Sequence, residues 1–312
     1  MEPTNNDPTT ANHPELPFRS GFVNIIGRPN AGKSTLMNAL VGERMSIITH
    51  KPQTTRHRII GILSGEGFQI VFSDTPGYVK QPNYRMHQAM NRSVEGTVED
   101  ADLMLFVFDL TEELEDDNPV IEVLKKTDVP ILLILNKKDL VAAQRAEDVT
   151  GWWRKRIAFT DALALSALKE PNAASLLEKI IGFLPEGEPY YPIDQLTDRP
   201  ERFFVSEIIR EKILLLFSDE IPYSTEVVVE DFKEGKTTAG ADIARIQATI
   251  FVMRETQKAI VLGKGGAAIK KLGSIARLDL ERFLKTKVFL ELTVKVRDNW
   301  RDDDKALQRF GY

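Results

Sequence analysis

The residues best suited to chemistry gather in four short segments that follow one another along the chain. GRPNAGKS (27–34) comes directly after the apolar run 22–26 and before a helical stretch, the setting in which G-x-x-x-x-G-K-[ST] cradles phosphates. Gly27 and Gly32 permit the turn that aims backbone N–H groups at a ligand, Lys33 can bridge β- and γ-phosphates, and the Ser34 hydroxyl can ligate Mg2+. DTPG (74–77) ends a second apolar run, where Asp74 can hold a Mg2+-bound water and the Gly77 N–H can meet a γ-phosphate. NKKD (136–139) names the base, because an Asp139 carboxylate accepts from guanine N1–H and the exocyclic amine together, whereas adenine offers an acceptor and no amine. A carboxylate left unpaired there discriminates by orders of magnitude, which selects GTP or GDP over ATP. Asn136 can brace the neighbouring loops, the stem of Lys137 can lie across the purine, and in SAL (166–168) the Ala167 N–H can face guanine O6. DTPG and SAL taken singly are ordinary turns. In this order, each at the end of an apolar run, the four segments place a ligand where open α/β sheets bind ligands.

A second glycine-rich loop with lysines, VLGKGGAAIKKLG (261–273), lies near the C-terminal end. It lacks the Gly-Lys-Ser/Thr spacing and the preceding strand of a nucleotide loop, so two readings remain, a helix–helix turn and a clamp on a nucleic-acid backbone. In the candidate clamp Gly263, Lys264, Gly265 and Gly266, the first and last glycines let a sugar-phosphate chain approach closely, Lys264 supplies a point charge, and the following helix presents free N–H groups. On that helix Ile269, Leu272, Ile275, Ala276, Leu280 and Phe283 form an apolar stripe assigned to the core, leaving Lys270, Lys271 and Arg277 to face a polyanion. Arg245 and Gln247, on the strand before the loop, are weaker candidates. No aromatic platform interleaves with these charges, against a stacking surface of the RRM or OB kind.

The elements that must position these residues are legible from periodicity. Near-continuous apolar runs at 22–27, 69–74, 103–110, 131–136 and 162–167 are strands buried on both faces of a parallel sheet. The run 58–65 pairs with 69–74 as an antiparallel hairpin at the edge, which makes a mostly parallel six-stranded sheet in an α/β domain. Helices are expected at 33–42, 84–99, 116–127, 143–157 and 172–183. PEGEPYYPIDQLTDRP then breaks any helix and reads as a linker over 186–200. Beyond it a helix (201–217), strands 227–232 and 245–253, a short helix, a helix at 267–285 and a strand at 288–296 give the order α-β-β-α-α-β of an α+β domain. The divisions are thus a disordered polar lead (1–18), a nucleotide domain (19–185), the linker, and a second domain (201–312).

Composition narrows the class. With no cysteine, disulfides, thiolate metal sites and cysteine nucleophiles are excluded, which fits a reducing cytoplasmic setting. No apolar run approaches the roughly 20 residues of a membrane span, and the N-terminal segment lacks the pattern of a signal peptide. The net charge of −5 is unevenly spread: residues 254–297 carry 11 basic and 4 acidic side chains, a patch that could meet a polyanion.

The ordered set GRPNAGKS, DTPG, NKKD and SAL resembles a Ras-like GTPase domain over residues 20–185. The resemblance implies a guanine-nucleotide site built from Gly27, Arg28, Pro29, Asn30, Ala31, Gly32, Lys33, Ser34 and Thr35, from Asp74, Thr75, Pro76 and Gly77, and from Asn136, Lys137, Asp139, Ser166, Ala167 and Leu168. KPQTTRHR (51–58) resembles the first switch of the TrmE-Era-EngA branch, whose threonine before arginine ligates Mg2+ beside Ser34 and Asp74; this maps to Thr55, with Thr54 as the alternative. Tyr78 stands where Ras-type enzymes place the glutamine that orients water. In potassium-activated relatives an asparagine at the position of Asn30 helps hold K+, so the resemblance implies slow intrinsic hydrolysis, with Lys33, Asn30 and Thr55 stabilising charge.

G-x-x-G between two helices in an α-β-β-α-α-β domain resembles a type II KH fold. A GTPase domain followed by such a KH domain resembles the Era family. That resemblance implies a monomeric, cytoplasmic GTPase that binds small-subunit ribosomal RNA near its 3′ end in 30S assembly, with peripheral inner-membrane contact in some members. Two rival readings are a membrane-associated regulatory GTPase whose KH-like domain binds protein, and a GTP-dependent scaffold for an RNA-modifying enzyme.

Overall fold

The structure, a computed structural model, describes residues 17–312 apart from 99, 117, 172 and 239. Residues 1–16 of the expected lead lie outside the described residues.

Leu103, Leu105 and Val107 pack on one face of their strand and Met104, Phe106 and Phe108 on the other, all buried. Alternate side chains point to opposite faces, so a strand covered by helices on both sides must be apolar throughout. The first domain is built this way from β1 (Arg19–Ile26), α1 (Lys33–Val41), β2 (Ile59–Gly65), β3 (Phe68–Asp74), α2 (Arg85–Val98), β4 (Leu103–Asp109), α3 (Pro119–Leu124), β5 (Ile131–Asn136), α4 (Gln144–Arg154), β6 (Asp161–Ala164) and α5 (Ala173–Phe183). The sheet order is β2-β3-β1-β4-β5-β6, with only the β2–β3 pair antiparallel. Leu36 of α1 and Leu176 and Ile180 of α5 cover one face, and Trp153 of α4 covers the other, edge-on to Phe106 with ring centroids 4.7 Å apart. The C-terminal ends of β1, β3, β5 and β6 deliver the four motif loops to one edge.

The segment 186–200 is a strap bonded to the sheet. Gly187 N–H donates to the Phe18 carbonyl (3.0 Å), Gln69 exchanges two bonds of 2.9 Å with the backbone of Tyr191, and Ile62 N–H donates to the Leu196 carbonyl (2.8 Å). Its prolines break helix without preventing this edge pairing.

The second domain comprises α6 (Glu201–Leu216), α7 (Ile221–Ser224), β7 (Glu226–Lys236), β8 (Asp242–Val252), α8 (Glu255–Leu262), α9 (Ala267–Leu284), β9 (Lys287–Val296) and α10 (Asp304–Phe310). β8 lies between antiparallel β7 and parallel β9. Ala244, Ile246, Ala248 and Ile250 of β8 pack with Leu272, Ala276 and Leu280 of α9, as the apolar stripe requires. Glu234 to Lys236, beyond the strand expected at 227–232, continue the ladder as an exposed ribbon, because backbone pairing does not need a buried face. α10 was not anticipated. The Asp303 carboxylate caps it by accepting from Lys305 N–H (3.0 Å), and Ala306, Leu307 and Phe310 pack with Trp300, with Phe251 and Met253 of β8, and with Met86 and Met90 of α2. A hydrophobic cluster therefore joins the two domains.

Candidate functional site: a nucleotide cavity and a basic groove

The loop after β1 is shaped for phosphate. Gly32, at φ 97°, is the N-cap of α1 without a side-chain cap, so the first-turn N–H groups stay available to a ligand. A Cβ there would also collide with the Asn136 amide, which fixes glycine at this position. Lys33 is buried and its ammonium donates to the carbonyls of Gly27 (3.1 Å) and Arg28 (2.9 Å). Burial pushes its pKa down to about 8, with Asp74 and Glu112 opposing the shift. Anionic phosphate oxygens would restore the charged form.

Beside Lys33 four oxygen-bearing side chains converge. Ser34 Oγ donates to Asp74 Oδ2 (2.6 Å) and lies 2.9 Å from Thr55 Oγ1, while Ser46 Oγ donates to the same carboxylate oxygen at 2.9 Å. Asp74 Oδ1 is buried with no hydrogen-bond partner among the described residues. Burial raises the Asp74 pKa, opposed by Lys33 and by the Ser34, Ser46 and Thr55 hydroxyls. Two hydroxyls and a carboxylate, all oxygen, suit Mg2+, which takes few protein ligands and fills its octahedron with phosphate oxygens and water. The orphaned Oδ1 is where the donor set is open. The Thr54 hydroxyl is turned away, to Thr49 Oγ1 and the Lys51 carbonyl, both at 2.6 Å. Ser46 was missed by sequence; Asn38 places it by accepting from the N–H groups of Met45 and Ser46 (2.9 Å each), a contact without a local motif.

Gly32, Lys33, Ser34 and Thr55 line a cavity of about 650 Å3 together with Pro29, Asn30, Thr35, Gly77, Asn136, Lys137, Asp139, Ser166, Ala167 and Leu168, with Asp74 and Ser46 behind that lining. Asn136 braces two loops, donating to the Ala31 carbonyl (2.8 Å) and accepting from Ala167 N–H (2.9 Å). The Ala167 N–H, expected to face guanine O6, thus donates to the Asn136 side-chain oxygen. Asp139 is exposed rather than buried and pairs with Lys169 (2.9 Å); the Lys169 ammonium, then the Ser166 hydroxyl, hold its carboxyl below the usual carboxylate range. It is thus ionised at neutral pH, the form that accepts two guanine donors. Lys137 pairs with Asp109, a residue at the end of β4 that sequence reasoning did not single out. Leu140, also unanticipated, adds an exposed apolar side chain to the lining.

Several expected residues point elsewhere. Arg28 turns to Glu112 and Glu115 (3.4 Å each). Thr75 and Pro76 are buried, and the Thr75 hydroxyl donates to the Ile25 carbonyl (2.9 Å), tying β3 to β1. Asn30, at φ 65°, donates its amide to the His50 carbonyl (3.0 Å). The Tyr78 hydroxyl faces Glu95 (3.3 Å).

In the second domain, Gly263 (φ 73°) closes α8, and a Cβ there would approach the Ala268 Cβ to 2.6 Å. Gly266 is the N-cap of α9, again without a side-chain cap, and Lys264, Gly265, Lys270, Lys271 and Arg277 are exposed. Lys270 and Arg277 line an open groove of about 370 Å3 between α9 and β9, floored by Ile269, Leu290 and Leu292; Lys271 lies outside that lining. Ile269, assigned to the core by its period, is half-buried and shared between core and groove. Arg245 and Gln247 lie on the sheet face opposite α9, where Gln247 donates to Glu291 (3.0 Å), away from the groove.

Comparisons with known proteins agree with this geometry. The profile of the family described as 50S ribosome-binding GTPase matches residues 22–137, and that of the KH domain matches residues 220–301. GTPase Era of Syntrophus aciditrophicus (strain SB) is 45% identical over 296 residues, 95% of each chain. A solved structure of Era with MgGDPNP and nucleotides 1506–1542 of 16S ribosomal RNA superposes with a TM-score of 0.89 at 36% identity, covering 95% of this chain and 99% of the other. A variant of Aquifex aeolicus Era bound to GDP·AlF4− gives the same TM-score, identity and coverage. With a complete guanine-nucleotide cavity, a KH domain after it and a relative of this similarity over nearly its whole length, the chain belongs to the Era family of GTPases.

Proposed function

We propose that this GTPase acts as a switch that reads small-subunit ribosomal RNA near its 3′ end through the groove beside Gly263–Gly266 and serves 30S assembly. The carrying observation is that one chain holds a nucleotide cavity lined by all four motifs and, on a domain joined to it, an open basic groove next to a G-x-x-G loop. The complex of a 36% identical Era with a 16S fragment supports the choice of RNA. The same reading divides the chain into a GTPase domain (19–185), the strap (186–200) and the KH domain (201–312).

In this reading the N–H groups at the start of α1 and the Lys33 ammonium hold the phosphates, and Asp139 and Asn136 hold and frame guanine. Ser34 and Thr55, with Asp74 behind, would hold Mg2+, which would supply positive charge to stabilise the phosphate anion. Tyr78, with its hydroxyl directed to Glu95, does not orient water as a glutamine would, which supports slow intrinsic hydrolysis. Asn30, linked to the first-switch carbonyl of His50, is the position for K+ stimulation, read as a rate increase when Na+ is replaced by K+.

The test is the affinity of the full chain for a 3′-terminal small-subunit RNA fragment with a nonhydrolysable GTP analogue and with GDP. Tighter binding in the triphosphate state is expected; equal affinities would sink the switch. Among the described residues no helix is long and apolar enough to cross a membrane. The family resemblance adds a monomer, cytoplasmic residence and peripheral contact at the inner membrane, checked by sedimentation and vesicle flotation.

A further inference from the structure

Thr55 is held in place largely from outside its own domain. Its neighbours on both sides are bonded to the KH domain. The Thr54 carbonyl accepts from Arg210, which is gripped by Glu207 through two bonds of 2.7 and 2.6 Å. Arg56 donates to the carbonyls of Pro222 (2.9 Å) and Thr225 (2.7 Å) and to Glu226 (3.0 Å). Glu226 also accepts from the Tyr312 hydroxyl (2.7 Å), and the Tyr312 ring lies against His57 with centroids 4.5 Å apart. Lys51 reaches the Phe217 carbonyl, so the switch is tethered at both ends of its KPQTTR stretch by the same domain.

Arg56, Arg210, Glu207 and Glu226 are each no more than 5% exposed, two cations against two anions desolvated at one seam. Such an arrangement is tolerable only while every charge keeps its partner, since parting one pair strands the other in a dry environment. Moving Thr55 away from Ser34 pulls the Thr54 carbonyl off Arg210 and Arg56 off its three acceptors. The seam is therefore closed, or open and hydrated, with little between.

Resting on the reading of Thr55 as a ligand of the triphosphate-bound Mg2+, the geometry points to Arg210 and Arg56 as positioning residues by which the closed KH seam holds the Thr55 hydroxyl beside Ser34, making Mg2+-GTP binding and KH docking one equilibrium. Neither arginine touches nucleotide; each acts through the backbone of residues 54–56. By linkage, whatever closes the seam favours triphosphate over diphosphate, and the reverse holds equally.

The test measures dissociation constants of the full chain for fluorescent GDPNP and GDP across a Mg2+ titration. Arg210→Met combined with Glu207→Gln removes the pair without stranding a charge; GDPNP should bind at least tenfold more weakly and require more Mg2+, with GDP affinity within twofold. Arg210→Lys keeps a cation beside Glu207 without the guanidinium's reach, should give a smaller loss of the same selectivity, and serves if the double variant does not fold. In a Thr55→Ala background the Arg210→Lys change should add no further loss. Equal losses for both nucleotides, no loss in either Arg210 variant, or full additivity with Thr55→Ala overturns the inference. A Thr55→Ala protein without selective loss of GDPNP overturns instead the reading of Thr55 on which it rests.

Discussion

Two loops in this molecule end on a glycine N-cap with no side-chain cap and carry a lysine, yet they are built for different phosphates. The first is enclosed: Lys33 is buried against two carbonyls, Asn136 clamps the loop from β5, and loops from four strands close around it. The second stands in solvent, with Lys264 and Gly265 exposed and the adjoining groove open along α9. Enclosure makes each contact strong and selective, because a wrong ligand leaves desolvated groups unpaired. Exposure makes each contact weak, screened and tolerant of a long flexible polymer. The same backbone device thus serves a small molecule in one place and a polyanion in the other, according to what surrounds it.

The comparison is most sharply tested at the base. Asp139→Asn should shift preference from GTP toward xanthosine triphosphate, whose C2 carbonyl accepts where guanine donates, by a ratio on the order of 10^3 in competition binding, from two charge-assisted hydrogen bonds at about 2 kcal/mol each. Lys33→Ala should weaken a GTP analogue by about 100-fold, since it removes a charge-assisted contact in a dry site; a loss below threefold would mean the enclosure contributes little. At the open loop, Lys264→Asp with Gly265→Asp should lower RNA affinity at least about tenfold at moderate salt, measured by fluorescence anisotropy. Arg277→Ala should cost only a few-fold, and should reduce the slope of log affinity against log salt by about 0.7, the value for one contact to a single strand. A salt-independent loss at Arg277 would break the assignment of the groove.

The pH dependence of the seam between the domains gives the smallest expected effect. Burial would raise the Glu207 pKa, but the Arg210 charge and hydrogen bonds outweigh it and hold the carboxyl below its ordinary value. A depressed folded pKa contributes stability that is present above the unfolded value of about 4.3 and is lost as pH falls through the folded one. Urea midpoints of the protein should therefore drop on acidification from neutral pH into that range, and Arg210→Met combined with Glu207→Gln, which strands no charge, should flatten the dependence.

The sequence by itself determined the elements and the identity of the ligand. Strands buried on both faces must be apolar throughout, a helix against a sheet must repeat its apolar face, and Gly32, Lys33, Asn136 and Asp139 carry their chemistry within a few consecutive residues. For that reason the six-stranded sheet, the KH order and the motif loops were legible within a few residues of their observed ends. What the tertiary structure alone decided lies in contacts between residues far apart in the chain. Ser46 reaches Asp74 only because Asn38 folds its segment back, Asp109 meets Lys137 across adjacent strands, and α10 covers β8 and α2 at once. The different orientations of Thr54 and Thr55 belong to this class too, since both hydroxyls are equivalent on paper, yet one bonds to Thr49 and Lys51 within its own loop and the other lies beside Ser34. Local pattern records what each segment must be. Burial of charge between two domains records where each segment must stay, and no window of sequence contains both partners.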